Sequence, residues 1–154
     1  MGKVSDYIVD FKRLSEFSVE KVLRRLSDSL IESGYAKDSF LRSVLEREET
    51  YPTGLPASIG VAIPHTDPHH IHKPGISIGV LQEPVVFQMM GNSSERIHVE
   101  IVFMLAIKDP KEQVKLLQSL MELIQSEELL SRLKECNSLD EVKSSLTIIP
   151  IGSD

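Results

Sequence analysis

The chain has 154 residues, which is enough for one domain with a hydrophobic core that needs no disulfides. It is 41% hydrophobic and 26% charged with a net charge of −6, a composition typical of soluble globular proteins and unfavourable for nucleic-acid binding. One cysteine excludes an internal disulfide framework, and no apolar segment near the first residues suggests a secretory signal, so we expect a cytoplasmic protein. The longest apolar run, 101–107, is too short to cross a bilayer, and we expect no membrane insertion.

The first third of the chain is predicted to form a strand and two helices. Residues 7–11 are a candidate first strand. A helix follows, with Ser18 as its N-cap and Gly34 at its end, because apolar residues recur at helical spacing between them. A second helix is predicted over 38–49, with Asp38 as its N-cap.

The middle of the chain carries apolar runs that are typical of buried strands. The first run is small and uninterrupted, and Pro64 ends it. The predicted buried strands are 58–63, 76–81 and 99–107, with 85–87 as a short edge strand and 89–96 as a polar loop.

The last third is predicted to form three helices. Asp109 is the N-cap of the first, with Pro110 after it and Glu112 completing an arrangement similar to a capping box. Ser126 caps the next helix, and Ser138 with Glu141 begins the last. The predicted inner stripe of the first helix is Val114, Leu117, Leu120, Met121 and Ile124.

Strands and helices alternate along the chain without a strict βαβ order. We therefore predict an α/β fold: a single domain over 1–154 with a mixed β-sheet covered by helices. Cys136 lies in a leucine-rich helical segment, where it is expected to pack as a small hydrophobic residue.

Four of the five histidines lie within one short segment and are His65, His69, His70 and His72. The string H-x-D-x-H-H-x-H offers ligands that zinc accepts, so a metal-dependent hydrolase built on this cluster is one hypothesis. Metal ligands usually converge from several elements, however, and only His98 lies elsewhere. We favour a polar surface turn for the last three histidines of the segment and predict no metal.

His65 differs from the others in its position. It is the first residue after Pro64, beyond the end of a predicted buried strand. Strand ends are where α/β folds place their binding crevices. Histidine is also a competent nucleophile near neutral pH. The alternative is a hydrogen-bonded turn residue, and position alone does not decide between the two.

Three stretches together carry a family resemblance: "SVLEREETYPTGLP" before the histidines, "GVAIPH" ending at His65, and "EQVKLLQSLMELI" after the long apolar strand. Their order and spacing resemble the enzyme IIA domains of the bacterial phosphoenolpyruvate-dependent sugar phosphotransferase system (PTS), of the fructose–mannitol type. The similarity covers nearly the whole chain and is greatest to the galactitol-type branch.

The resemblance implies a phosphoryl carrier. His65 would accept a phosphoryl group from the phosphohistidine of the phosphocarrier protein HPr. It would then pass this group to a cysteine of the cognate enzyme IIB. No metal, nucleotide or other cofactor would be required, and the domain would not contact the sugar. A regulatory module of the same fold, switched by phosphorylation, is the alternative within the family.

The resemblance also implies roles for other residues. Arg47 matches the family's arginine, and its guanidinium can bond two phosphoryl oxygens at once. The alternative is an exposed arginine at a helix end, paired with Glu48 or Glu49. Thr53 could offer a hydroxyl to the phosphoryl group.

Two further positions qualify the resemblance. Gln113 stands where mannitol- and fructose-type members often carry a second histidine, so it belongs to the phosphoryl environment but cannot act as a general acid. Asp67 would repel a phosphoryl group on His65, so we expect it to point away or to cap the following turn.

Overall fold

The computed structural model describes residues 4–148, apart from the side chains of Pro110, Glu112, Gln113 and Ile148. Within this part of the chain there are five strands and five α-helices. The strands are β1 (Ile8–Leu14), β2 (Gly54–Leu55), β3 (Gly60–Ala62), β4 (Gly75–Met89) and β5 (Asn92–Ala106). The helices are α1 (Val19–Glu32), α2 (Phe40–Thr50), α3 (Pro110–Ile124), α4 (Glu127–Glu135) and α5 (Leu139–Ile148).

The strands form one mixed sheet, as predicted. The long strands β4 and β5 pair antiparallel, β1 runs parallel to β4, and β3 runs parallel to β5. The short β2 pairs antiparallel with β3 and touches the end of β4. Because β3 and β5 are parallel, their carboxyl ends lie at the same edge of the sheet.

Helices cover both faces of this sheet. Side chains alternate along β5, so Val102 and Met104 pack with α1 and α2, whereas Ile101, Phe103 and Leu105 pack with α3, α4 and α5. Two buried apolar layers therefore enclose the sheet, which confirms the α/β prediction. None of the helices in the described residues is long and apolar enough to span a membrane.

The predicted edge strand over 85–87 and the polar loop over 89–96 are wrong. Residues 85–87 belong to β4, and the chain turns back at Met90 and Gly91, which has φ +79°. The exposed residues 82–84 interrupt the apolar pattern of β4, and the pairing shifts register there. The pairing with β5 stops at Val80 and resumes at Val85, so β4 continues beyond this interruption.

One of the helix starts was predicted wrongly. The Asp109 side chain caps α3 by accepting from the Lys111 N–H, as predicted, and the predicted role of Glu112 lies outside the described residues. The side chains of Ser18, Ser126 and Ser138 accept bonds from the backbone as N-caps, and the Glu141 carboxylate reaches back to the Asn137 N–H. Asp38 does not cap α2, contrary to the prediction. Ser39 takes the N-cap position without a side-chain cap, because its hydroxyl lies 2.7 Å from Nδ1 of His70.

The buried face of α3 agrees with the prediction at Leu120 and Ile124 and differs from it at Val114 and Met121. Leu116, Leu120, Leu123 and Ile124 are buried, while Val114 is 57% exposed and Met121 39% exposed. Leucines occur on neighbouring stripes of this helix, and packing against the sheet selects one of them. Cys136 is buried at the end of α4, as predicted.

Candidate functional site

His65 lies just beyond the carboxyl end of β3, where two hydrogen bonds hold the chain in an extended path. The Ile63 N–H donates to the carbonyl oxygen of Thr53 at 3.3 Å. The Leu105 N–H donates to the carbonyl oxygen of Pro64 at 3.0 Å. The segment before His65 is therefore fixed from both sides, and the imidazole is presented at the edge where β3 and β5 end.

The ring of His65 has one nitrogen engaged. Nδ1 lies 2.7 Å from the carbonyl oxygen of Ile63. A carbonyl oxygen only accepts, so Nδ1 carries the proton in the neutral ring and Nε2 has a free lone pair. Nε2 is thus the nitrogen that can act as a nucleophile.

The surroundings of His65 favour the neutral ring. Burial lowers the pKa of His65 below its ordinary value of 6.5, while the hydrogen bond to Ile63 raises this pKa. The positive charge of Arg47 lowers the pKa of His65 further, and the negative charge of Asp67 raises it. With the pKa below 6.5, most of the imidazole is unprotonated and nucleophilic at neutral pH.

Arg47 lies in the last turn of α2, facing the segment that follows His65. Its Nη1 is 3.9 Å from a carboxylate oxygen of Asp67, and its guanidinium lies 5.3 Å from the ring centre of Tyr51. Its Nε is buried and has no hydrogen-bond partner among the described residues. The predicted alternative, pairing with Glu48 or Glu49, is not observed, since the ion pair of Arg47 is with Asp67 and Glu48 bonds Thr53.

Asp67 does not cap the turn that follows it. It stands at the N-cap position of a 3₁₀ turn, Pro68–His70, but its side chain makes no capping bond. Its carboxylate instead faces Arg47 and is 64% exposed. The ion pair with Arg47 takes the place of the predicted cap, and Asp67 belongs to the charge environment of His65.

The Thr53 hydroxyl points toward Glu48 and not toward a phosphoryl group on His65, contrary to the prediction. Thr53 is 3% exposed, and its hydroxyl donates to Oε1 of Glu48 at 2.9 Å. Its N–H donates to Oε2 of the same carboxylate at 2.8 Å. The hydroxyl proton is thus committed to Glu48 and is not free for a phosphoryl group.

Sequence reasoning missed the burial of Glu48. The pKa of Glu48 is raised from 4.5 to about 7, because burial raises this pKa by more than the two bonds from Thr53 lower it. A glutamate near a helix end is expected at the surface, so the sequence does not indicate that Glu48 is buried.

Sequence reasoning also missed a hydroxyl pair beside His65. The Ser43 and Thr66 hydroxyls are hydrogen-bonded, with Ser43 on α2 and Thr66 next to His65. Ser43 lies one helical turn before Arg47, so the spacing of four could have pointed to it. The pair ties α2 to the histidine segment.

His69, His70 and His72 lie on a surface turn, as predicted, whereas His98 lies on β5. The backbone N–H of Lys37 donates to the carbonyl oxygen of His70, and the N–H of His72 donates to that of Tyr35. His69 and His72 are exposed. In the part of the chain that the structure describes, no three His, Cys, Asp or Glu side chains are grouped to hold a metal ion.

Gln113 lies in the first turn of α3, four residues after the N-cap Asp109. Its side chain is outside the described residues. The helix begins shortly after β5 ends, and its N-terminus carries partial positive charge. The predicted contribution of Gln113 stays a prediction.

Substitution of Glu48 by glutamine is expected to stabilise the protein more at pH 8 than at pH 5. The folded carboxyl has a pKa of about 7 against 4.5 when exposed, so the folded state holds more protons between these values. Stability therefore falls as pH rises through this window, by at most about 3 kcal/mol. Glutamine does not ionise and escapes this loss.

Urea unfolding of Glu48→Gln and wild type at both pH values measures the difference. Glu49→Gln is the matched control, since Glu49 is an exposed neighbour. An equal difference at pH 5 and pH 8 would contradict the raised pKa.

Comparison with known proteins gives consistent results. The galactitol-specific EIIA component of Escherichia coli K12 is 25% identical over 114 residues, covering 73% of this chain and 75% of that protein. The mannitol-specific cryptic phosphotransferase enzyme IIA of Escherichia coli superposes with a TM-score of 0.75 at 21% identity, covering 95% and 99% of the two chains. Enzyme IIA of mannitol from Escherichia coli, in complex with phosphorylated enzyme IIB, gives 0.73 at 24%, covering 91% and 94%.

The fold is thus that of the enzyme IIA components of the sugar phosphotransferase system. A family model described as phosphoenolpyruvate-dependent sugar phosphotransferase system, EIIA 2, matches residues 11–147. The chain belongs to this family, whose members are components of a phosphotransferase system.

Proposed function

We propose that this chain is a phosphoryl carrier that accepts a phosphoryl group on Nε2 of His65 and passes it to a cysteine of a partner protein. One observation carries the proposal: Nδ1 of His65 is bonded to the carbonyl oxygen of Ile63, which leaves Nε2 as the free nucleophilic atom at the end of a fixed strand. The alternative of a purely structural turn residue does not require a lowered pKa or a nearby arginine.

The chemistry consists of two displacements at phosphorus. The lone pair of Nε2 attacks the phosphorus of a phosphohistidine on the donor, a new N–P bond forms, and the donor's N–P bond breaks. The ring of His65 keeps its proton on Nδ1, and the bond to Ile63 stabilises the positive charge that develops. A cysteine thiolate then attacks the phosphorus, and the electron pair of the broken bond returns to Nε2.

Charge stabilisation would come from Arg47. Phosphoryl transfer depends mainly on alignment and on neutralising the equatorial oxygens. The Arg47 side chain is 36% exposed, and its only ion pair among the described residues is the weak 3.9 Å pair between Nη1 and Asp67, so the outer guanidinium donors are available for these oxygens. Gln113, in the first turn of α3, would contribute a further donor. Thr53 would act only through Glu48.

The relatives suggest the partners. We infer HPr as the upstream donor and a cognate enzyme IIB as the acceptor, supported by the enzyme IIA of mannitol that has been solved with phosphorylated enzyme IIB. The similarity to the galactitol-specific component supports uptake of galactitol or a related sugar alcohol. The sugar itself would not contact this chain.

The test is intact mass after incubation with phosphoenolpyruvate, enzyme I and HPr. We expect one acid-labile phosphoryl group on wild type and none on His65→Ala, with the histidines after His65 unmodified. Wild type that gains no mass, with active partners, would contradict the proposal.

A second step separates transport from regulation. The phosphorylated protein is mixed with purified galactitol-type and mannitol-type enzyme IIB. Rapid transfer to the galactitol-type cysteine supports the branch assignment. A stable phosphoryl group that neither acceptor removes favours the regulatory alternative.

A further inference from the structure

The buried carboxyl of Glu48 takes no part in the chemistry above, yet it connects α2 to the segment that carries His65. Glu48 directly follows Arg47 in the sequence, but it is only 7% exposed. Both of its oxygens are occupied by Thr53, through the backbone N–H at 2.8 Å and the hydroxyl at 2.9 Å. A carboxylate that accepts two bonds from one residue fixes both the position and the orientation of that residue.

The hydrogen bonds continue from Thr53 to the imidazole. The carbonyl oxygen of Thr53 accepts the N–H of Ile63 at 3.3 Å, and the carbonyl oxygen of Ile63 accepts Nδ1–H of His65 at 2.7 Å. The bonds between Glu48 and Thr53 begin this path and are made by the Glu48 side chain, so substitution of Glu48 removes them without altering the strand itself.

We propose that Glu48 is a positioning residue that fixes the imidazole of His65 relative to the guanidinium of Arg47. The inference rests on the proposed function, because this alignment matters for phosphoryl transfer to His65. The last turn of α2 carries both residues. Arg47 faces the site, and Glu48 holds Thr53, whose carbonyl oxygen is bonded to Ile63 and so leads to His65. The Ser43–Thr66 pair is a second tie between the same two elements.

Loss of the anchor is expected to reduce the rate rather than the affinity. A misplacement of about 1 Å at a reacting group costs roughly 10²-fold in rate. We expect Glu48→Ala to lower the maximal rate of phosphorylation by phospho-HPr about 10-fold or more. KM should change little, since Glu48 is buried and does not reach the donor.

Conservative variants provide the rescue. The amide oxygen of Glu48→Gln can accept the Thr53 N–H, and its NH₂ can donate to the Thr53 hydroxyl, so most of the lost rate should return. Thr53→Ser keeps the hydroxyl and should transfer faster than Thr53→Val, which lacks it. A Glu48→Gln protein as slow as Glu48→Ala would overturn the positioning role.

A matched control separates positioning from general destabilisation. Val142→Ala opens the core in α5, away from the site, and should keep the wild-type rate per folded molecule. Equal slowing of Val142→Ala and Glu48→Ala would overturn the proposal, as would a folded Glu48→Ala protein with the wild-type rate.

A second readout needs no phosphoryl donor. Ring ¹⁵N chemical shifts report which nitrogen of His65 carries the proton. We expect Nδ1–H in wild type and in Glu48→Gln, and a mixture of both tautomers in Glu48→Ala. Unchanged shifts in Glu48→Ala would contradict the inference. If wild type takes no phosphoryl group, the carrier proposal fails, whereas these shifts still decide whether Glu48 orients the ring.

Discussion

Replacement of Arg47 by glutamine is expected to slow phosphorylation of His65 about 10²–10³-fold, the usual effect of removing a donor that stabilises transition-state charge. Arg47→Lys should recover part of this rate, because lysine keeps the charge but lacks the planar fork. Quenched-flow transfer from phospho-HPr measures the rates. A glutamine variant within a few-fold of wild type would remove Arg47 from the mechanism.

The pKa of His65 provides an independent test of whether the charge of Arg47 acts on the imidazole. Arg47 lowers this pKa and Asp67 raises it, whereas burial acts on both variants alike. Arg47→Gln should therefore raise the pKa of His65, and Asp67→Asn should lower it. NMR titration of the ring protons measures both shifts. Shifts in the same direction would indicate a structural disturbance and contradict the charge assignment.

Asp67→Asn is also the matched control for the transfer rate. The carboxylate is largely exposed and competes with a phosphoryl group for Arg47. Its removal is expected to leave the rate of phosphorylation at or slightly above the wild-type value. A large loss on Asp67→Asn would mean that the ion pair itself is needed to place Arg47.

Local sequence signals identified the position of His65. A small apolar run ended by proline predicts a strand end, and the structure places His65 beyond the end of β3. The caps at Ser18, Ser126 and Ser138 were also predictable, since each depends on one side chain and the next turn of backbone. Features set by a few neighbouring residues can thus be derived from sequence.

Features set by tertiary packing could not be derived in this way. Glu48 is buried and bonded to Thr53 in the loop after α2, and Asp67 faces Arg47 across from that helix. The Ser39 hydroxyl bonds to His70, which lies 31 positions away, and therefore does not cap α2. In each case a tertiary contact overrides the local preference of the residue.

Gly60→Ala is expected to destabilise the protein by about 3 kcal/mol or more and to disturb the position of His65. A Cβ at Gly60 would lie 2.1 Å from the carbonyl oxygen of His98 and 2.9 Å from its carbonyl carbon. These atoms belong to the backbone of β5, so they cannot rotate away, and β3 must separate from β5. A loss of this size corresponds to a fall of roughly 6–12 °C in Tm for a chain of this length.

The separation should act on His65 as well as on stability. Gly60 begins β3, and β3 leads to the Pro64 carbonyl that Leu105 of β5 holds. If β3 moves, that bond weakens and the imidazole loses its fixed direction, so phosphorylation should fall even at temperatures where the variant is folded. Ser58→Ala, at an exposed position two residues earlier, is the control and should match wild type in both Tm and rate. A Gly60→Ala protein with the wild-type Tm would mean that β3 and β5 are not in close contact at Gly60. It would also contradict the fixed position of His65 at this edge of the sheet.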